Sequence, residues 1–385
     1  MSRAFDTIDR SKLLGMLESI SGLTEDDRRL IRVMLANTSL QVEFNGFLTA
    51  PFFSNIGSPQ GDGLSPLLFA IYLESAVRDA LSRVSREERD ILYKLPEILI
   101  YADDTDFISL NPVFLEEVMN IVGPLFQEVY KLIVNEDKTE RTNIGHSDLG
   151  VDQSKWRNTR KLGSLLGVEE DMTKRIQLAY VSFGKLEAMW RHQSSVAKAI
   201  QLMSYKAIVE SVLPYNCGTW ALSSTQADRL DRAQRKMIRK VLGVTWKNKI
   251  TNERLYTMSS ILPASVQVIN ARWRLFGHTL RMKDEVPAQK AMASYFTVPG
   301  DCRGRQGNAC TIASVVSDDY KRAYGEKYVK KSMKDYEAIR LRAQDRVEWK
   351  NVVATVVNAY CTCKSEKETK RKEKRERKTV GEEEK

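Results

Sequence analysis

The chain has 385 residues, 42% hydrophobic and 29% charged, enough apolar material for about two to three cores of roughly 150 residues each. That composition excludes a wholly disordered or collagen-like polymer. Sixty Lys and Arg against fifty Asp and Glu leave +10 and a pI near 9.2, which favours a polyanionic partner because counterions released from a phosphate backbone drive basic proteins onto it. No stretch reaches the ~18 to 20 consecutive apolar residues that span a bilayer, and no apolar signal core follows Met1. Cys217, Cys302, Cys310, Cys361 and Cys363 are odd in number and sparse, unlike a secreted disulfide framework. Together these features predict an intracellular protein, nuclear or cytoplasmic, with reduced thiols and no membrane partner.

From Ser11 to about Val168 helical and strand patterns mix, so this part reads as α+β. Leu13, Leu14, Leu17 and Ile20 share a helical face, and Leu40 to Phe44 alternates as a strand does. Gly57 to Pro66 is a loop with three glycines that opens onto the apolar run Leu67 to Leu73, with Ser65 placed as N-cap and Pro66 in the first turn. Glu97 to Leu110 is two short apolar runs interrupted by Asp103 and Asp104, a hairpin with acid at its tip. Neighbouring carboxylates repel unless a cation lies between them, and hard oxygen donors suit Mg²⁺ with substrate phosphates. A polar turn, for which Asp is a favoured residue, is the simpler reading of the same two residues.

Beyond Asp171 the pattern is helical: Thr173 to Arg191, Val196 to Leu213, Ser224 to Leu242 and Ala264 to Arg281. Pro299 to Gly307 reads as a linker before a last helical pair ending near Cys363. The cysteine spacings argue no structural zinc. Lys364 to Lys385 holds ten basic and seven acidic residues without apolar periodicity, and is expected to be a solvated tail. Arg232, Arg235, Lys236, Arg239 and Lys240 recur at spacings of three and four, and are expected to line one helix face toward a nucleic-acid backbone.

Five segments, in order, resemble the palm motifs of reverse transcriptases. Ala4 to Asp9 resembles the end of the first, Pro59-Gln60-Gly61 with Leu64-Ser65-Pro66 the second, and Tyr101-Ala102-Asp103-Asp104 the YxDD box. Asn135 to Thr139 resembles the fourth, and Lys161 to Gly167 the fifth, or primer grip. Leu230 to Lys236, Ala271 to His278 and Ala343 to Trp349 resemble the thumb and post-thumb of non-LTR (LINE-like) retrotransposon polyproteins. Group II intron maturases share the YADD box but not this thumb pattern.

The resemblance implies a right-hand polymerase palm without fingers (1–168), an all-α thumb (169–290), a helical post-thumb region (291–363) and the charged tail (364–385). It implies RNA template, DNA primer and dNTP as partners, and two Mg²⁺ ions that stabilise the attacking and leaving oxygens. Asp103 would be the principal metal ligand of the box and Asp104 its weaker partner. Phe5 would be the aromatic gate against a ribose 2′-hydroxyl, Gln60 and Gly61 would meet the incoming nucleotide, Lys138 the leaving pyrophosphate, and Leu162 and Gly163 the primer. The family's first metal-binding aspartate precedes the alanine that Ala4 matches, upstream of Met1. Asp6, expected in an extended strand, lies beyond where an ion ligand points. The resemblance therefore implies a truncated, catalytically impaired member, or a remnant that binds RNA or DNA without catalysis.

Overall fold

The computed structural model describes residues 4–36, 38–58, 61, 63–84, 98–143, 160–192, 197–297, 311–325 and 333–383. These fall into two compact units, Met1–Arg157 and Asn158–Lys385. The predicted linker at Pro299 to Gly307 lies outside the described residues, as does Gln60.

The first unit begins with a 3-10 turn, Ala4–Thr7, where an extended strand was predicted. Helix α1 (Arg10–Glu18) starts where the Asp9 carboxylate accepts the Lys12 N–H, and α2 (Glu25–Leu35) where Thr24 and Asp27 form a reciprocal capping box. The predicted strand Leu40 to Phe44 is broken: β1 (Thr38–Leu40) pairs with β4 (Phe52–Ser54), and β2 (Glu43–Phe44) with β3 (Phe47–Leu48). Asn45 and Gly46, both at positive φ (51° and 81°), make the two-residue turn between β2 and β3. That turn sets the inner register, so the chain leaves regular pairing at Gln41 and Val42.

Helix α3 (Ser65–Ser82) buries Leu68, Phe69, Tyr72, Leu73, Ala76, Val77 and Ala80, an i, i+3, i+4 stripe. It packs on α4 (Pro112–Glu128) and α1. Ser65 is not its N-cap. Leu64 holds that position and its apolar side chain offers no acceptor, while the buried Ser65 hydroxyl accepts from the Ser58 hydroxyl at 2.6 Å. Strands β5 (Ile98–Tyr101) and β6 (Asp104–Phe107) form an antiparallel hairpin whose base, Ile98 opposite Phe107, packs on the same core.

The second unit opens with the hairpin of β7 (Arg160–Lys161) and β8 (Ser164–Leu165), followed by α5 (Val168–His192), α6 (Lys198–Ile208), α7 (Ser224–Leu242), α8 (Asn252–Ser259) and α9 (Ala264–Leu280). Then come α10 (Pro287–Thr297), α11 (Ile312–Tyr324), α12 (Met333–Gln344) and α13 (Arg346–Glu383). Helix α7 matches its predicted bounds because both ends carry strong signals: the Ser223–Gln226 capping box, and Gly243 in the left-handed C-cap conformation. Helix α13 continues to Glu383 through the segment expected as a tail. Its Lys364 forms an ion pair with Asp231, which is fully buried on α7 and also accepts the Ser265 N–H and hydroxyl.

Helix α9 serves two cores. Ala264 and Val268 join the cluster of α5 to α8, whereas Ile269, Trp273, Phe276 and Leu280 join that of α11 to α13. The expected thumb and post-thumb therefore share one helix. Two of the resembling segments meet there: the Trp349 indole donates to the Trp273 carbonyl at 3.0 Å, with the ring centroids 5.7 Å apart.

A polar network ties α7, α8 and α9. The buried Gln234 amide donates to Glu210 (2.7 Å) and to the Leu262 carbonyl (3.0 Å), while its oxygen accepts from Tyr256 and the Ala264 N–H; Gln267 donates to the other Glu210 oxygen. Burial pushes the Glu210 carboxyl above its ordinary value of 4.5, outweighing these donors. A raised folded-state pKa favours the protonated form, so the contribution is complete below the unfolded value and is lost as pH rises through the folded one. Glu210→Gln, which cannot ionise, is expected to flatten the fall in melting temperature as pH rises above about 4.5, whatever its effect on absolute stability. Parallel Tm-against-pH curves for the two chains would contradict this.

Candidate functional site

The hairpin tip is a two-residue turn, Ala102-Asp103, closed by Tyr101 opposite Asp104. Ala102 takes φ 52°, a conformation a non-glycine residue adopts only at a cost. Asp103 is half-buried and Asp104 exposed. Asp104 and Asp106 share one face of β6 by its period of two, while Phe107 turns to the core. The adjacent acids predicted at the tip are thus brought together at a strained turn.

The first and second resembling segments also meet. The Gly57 N–H donates to the Ile8 carbonyl (2.9 Å) and the Ser58 N–H to the Phe5 carbonyl (2.8 Å). Gly57 has φ +74°, and a Cβ there would lie 2.9 Å from the Asp6 backbone, so glycine alone allows both the turn and the approach. Phe5, half-buried, rests on Phe69 of α3 with ring centroids 4.5 Å apart. It lies in a 3-10 turn and not on a strand, so the strand alternation used to place Asp6 does not hold. Gly61 is exposed at φ +102°.

Sequence reasoning missed the residue that holds this assembly, Arg10. Its guanidinium is buried without a carboxylate. It donates to the carbonyls of Gly57 (2.8 Å), Leu35 (2.6 Å), Ser54 (2.7 Å) and Ile56 (3.3 Å), and to the Thr38 hydroxyl (3.2 Å). Burial pushes its pKa down from the usual guanidinium value. One side chain therefore clamps the loop before α3, the end of α2 and the β1–β4 ribbon. An Arg in the polar run Asp9-Arg10-Ser11-Lys12 carries no local signal of this.

Lys138 is exposed at the end of a 3-10 turn, Glu136–Lys138, which Asn135 caps by accepting the Lys138 N–H at 3.2 Å. Among the described residues no three His, Cys, Asp or Glu side chains gather into a metal-holding group. Asp103 and Asp104 have the right chemistry for part of a Mg²⁺ set.

The expected primer grip belongs to the second unit. Leu162 (φ 47°) and Gly163 (φ 80°) form the β7–β8 turn; Tyr215 donates to the Leu162 carbonyl (3.0 Å) and Arg175 to the Gly163 carbonyl (2.6 Å). Asp171, buried on α5, accepts the Leu165 N–H (3.0 Å) and the Trp220 indole N–H (2.9 Å). The hairpin is therefore fastened to α5, which is why the unit boundary lies ahead of it and not at 168.

The five basic residues of α7 do not form one free face. Arg239 turns to α8, donating to Asn252 at 2.8 Å, and Arg235 is half-buried. Lys240 pairs with Glu187 of α5 at 3.3 Å. Arg232 and Lys236 are exposed, Lys236 near the Tyr180 ring (5.8 Å). Helical spacing alone could not separate side chains taken by α5 and α8 from those left for a ligand.

Among known families, residues 1–174 match the model described as reverse transcriptase (RNA-dependent DNA polymerase). The match covers the acid hairpin and the Arg10-clamped loop, and runs through the β7–β8 hairpin into α5. The match covers 174 of the 385 residues, so the likeness to a reverse transcriptase belongs to this part of the chain. No curated protein matches the chain. No helix among the described residues is long and apolar enough to cross a membrane.

Proposed function

We propose that the chain descends from the reverse transcriptase of a non-LTR (LINE-like) retrotransposon and acts on nucleic acid inside the cell, with polymerase chemistry impaired. The observation that carries this reading is the acid turn Ala102-Asp103-Asp104 on the same apolar core as the clamped Phe5 and Gly57 segments. RNA template, DNA primer and dNTP are the ligands of that reading. Asp103 and Asp104 would hold Mg²⁺, Phe5, Gln60 and Gly61 would face the nucleotide, and Lys138 the pyrophosphate.

Catalysis is the weak link. Two Mg²⁺ about 4 Å apart repel strongly and need a carboxylate bridging both, beyond the pair at this turn. Primer extension by the 385-residue chain with Mg²⁺ and dNTPs is therefore expected to stay at background, equal to that of Asp103→Asn. Extension that Asp103→Asn abolishes would overturn the impairment and show that another carboxylate completes the set.

A further inference from the structure

Between Gly243 and Thr251, the connection from α7 to α8 holds an indole out in solvent. Trp246 is 85% exposed, whereas Trp220, Trp273 and Trp349 are at most 4% exposed. Burying an indole ordinarily stabilises a fold, and a solvent-facing indole at a fixed position is a surface available for stacking.

The position is fixed. Trp246 opens a 3-10 turn, Trp246–Asn248. The Asn248 side chain accepts the Thr245 N–H (2.7 Å) and hydroxyl (2.9 Å), and the Lys249 N–H returns to the Trp246 carbonyl (3.2 Å). Upstream, the Val244 N–H donates to the Arg239 carbonyl (2.8 Å); downstream, Arg239 holds Asn252 at the start of α8 (2.8 Å). Among the described residues no ring or cation stacks on the indole.

The surroundings are basic and not apolar. From Arg235 to Arg254 there are seven Lys or Arg and one acid, Glu253; with Glu187, the partner of Lys240, the local charge is 7 − 2 = +5. Lys247 within the turn and Lys249 just after it are exposed, while the nearest apolar residues along the chain, Val244 and Ile250, are half-buried. A lone aromatic face in a positive field matches single-stranded nucleic acid, in which every base offers a π-face and every linkage a phosphate. A duplex buries its base faces.

We infer that the Trp246 turn is a single-strand site: the indole stacks on one unpaired base, and Lys247 and Lys249 take the flanking phosphates. This rests on the nucleic-acid-binding part of the proposed function and not on catalysis.

The test uses the full chain and fluorescence anisotropy with oligothymidylate, oligouridylate and a blunt DNA duplex. Trp246→Ala is expected to weaken binding to both single strands roughly ten-fold, with the duplex affinity and the salt slope unchanged, and Trp246→Phe to recover most of the loss. Lys247→Ala with Lys249→Ala should instead lower the salt slope by about one to two. A common melting temperature establishes that the variants fold. The inference is overturned if Trp246→Ala binds single strands like the unmodified chain, or if the duplex loses as much. Those results leave polymerase descent untouched, whereas absence of all binding by the unmodified chain removes both readings. If only one of the two single strands shows the effect, the site stands and its partner is that nucleic acid.

Discussion

Arg10→Met is expected to destabilise the first unit by about 3 kcal/mol or more, because the buried bonds to the Leu35 and Gly57 carbonyls are lost together with the part-buried ones to Ser54 and Ile56. Hydrogen bonds to charged groups contribute roughly 1.5 to 3 kcal/mol each, though their sum is not additive. A domain with roughly 5 to 15 kcal/mol of stability feels such a loss strongly. Arg10→Lys should recover little, since one ammonium cannot reach the carbonyls of Leu35, Ser54 and Gly57 in the geometry of a planar guanidinium. Denaturant unfolding measures the loss. Protease cutting in the Gly57 to Pro66 segment, faster in both variants, would locate it at the clamped loop, and wild-type stability in Arg10→Met would show that the clamp carries no energy.

Gly277→Ala should be comparably severe in the second unit. In an exposed helix the change gains about 1 kcal/mol, but a Cβ at Gly277 of α9 would penetrate the Trp349 indole. Trp349 is 4% exposed, hydrogen-bonded to Trp273 and 6.0 Å from the Phe276 ring, so it cannot swing away without dismantling the cluster. Overpacking with loss of that hydrogen bond is expected to cost about 3 kcal/mol net. Combining the change with Trp349→Leu should cost much less than the two single changes added together, because the smaller side chain vacates the clash. Additive effects would show that Gly277 and Trp349 do not oppose one another.

Local signals were legible where they were also decisive. Helix α7 could be bounded from sequence because Ser223, Gln226 and Gly243 act on their own helix ends, and the acid hairpin because two apolar runs flank Asp103 and Asp104. The Leu40 to Phe44 alternation reads as one strand, but the Asn45-Gly46 turn pairs Glu43 and Phe44 with Phe47 and Leu48 and so breaks it. Other failures are long-range. Ser65 looks like a cap until Ser58 claims its hydroxyl, and Phe5 looks like a strand residue until the Gly57 loop bonds the turn that contains it. The Arg10 clamp spans 25 to 47 residues of sequence, and the sorting of the α7 basic residues depends on what α5 and α8 offer them. Periodicity gives a residue's direction around its helix but not the neighbour it meets.

The salt dependence of primer–template binding tests the nucleic-acid reading most directly. If exposed groups such as Arg232, Lys236, Lys247 and Lys249 together neutralise about four phosphates, affinity should fall about a hundred-fold between 50 and 200 mM salt. Arg232→Ala with Lys236→Ala should reduce the slope by about two, while Arg239→Ala, whose guanidinium is already committed to Asn252, should lower stability and leave the slope alone. No detectable binding at low salt, or binding indifferent to salt, would contradict the assignment of this chain to nucleic acid.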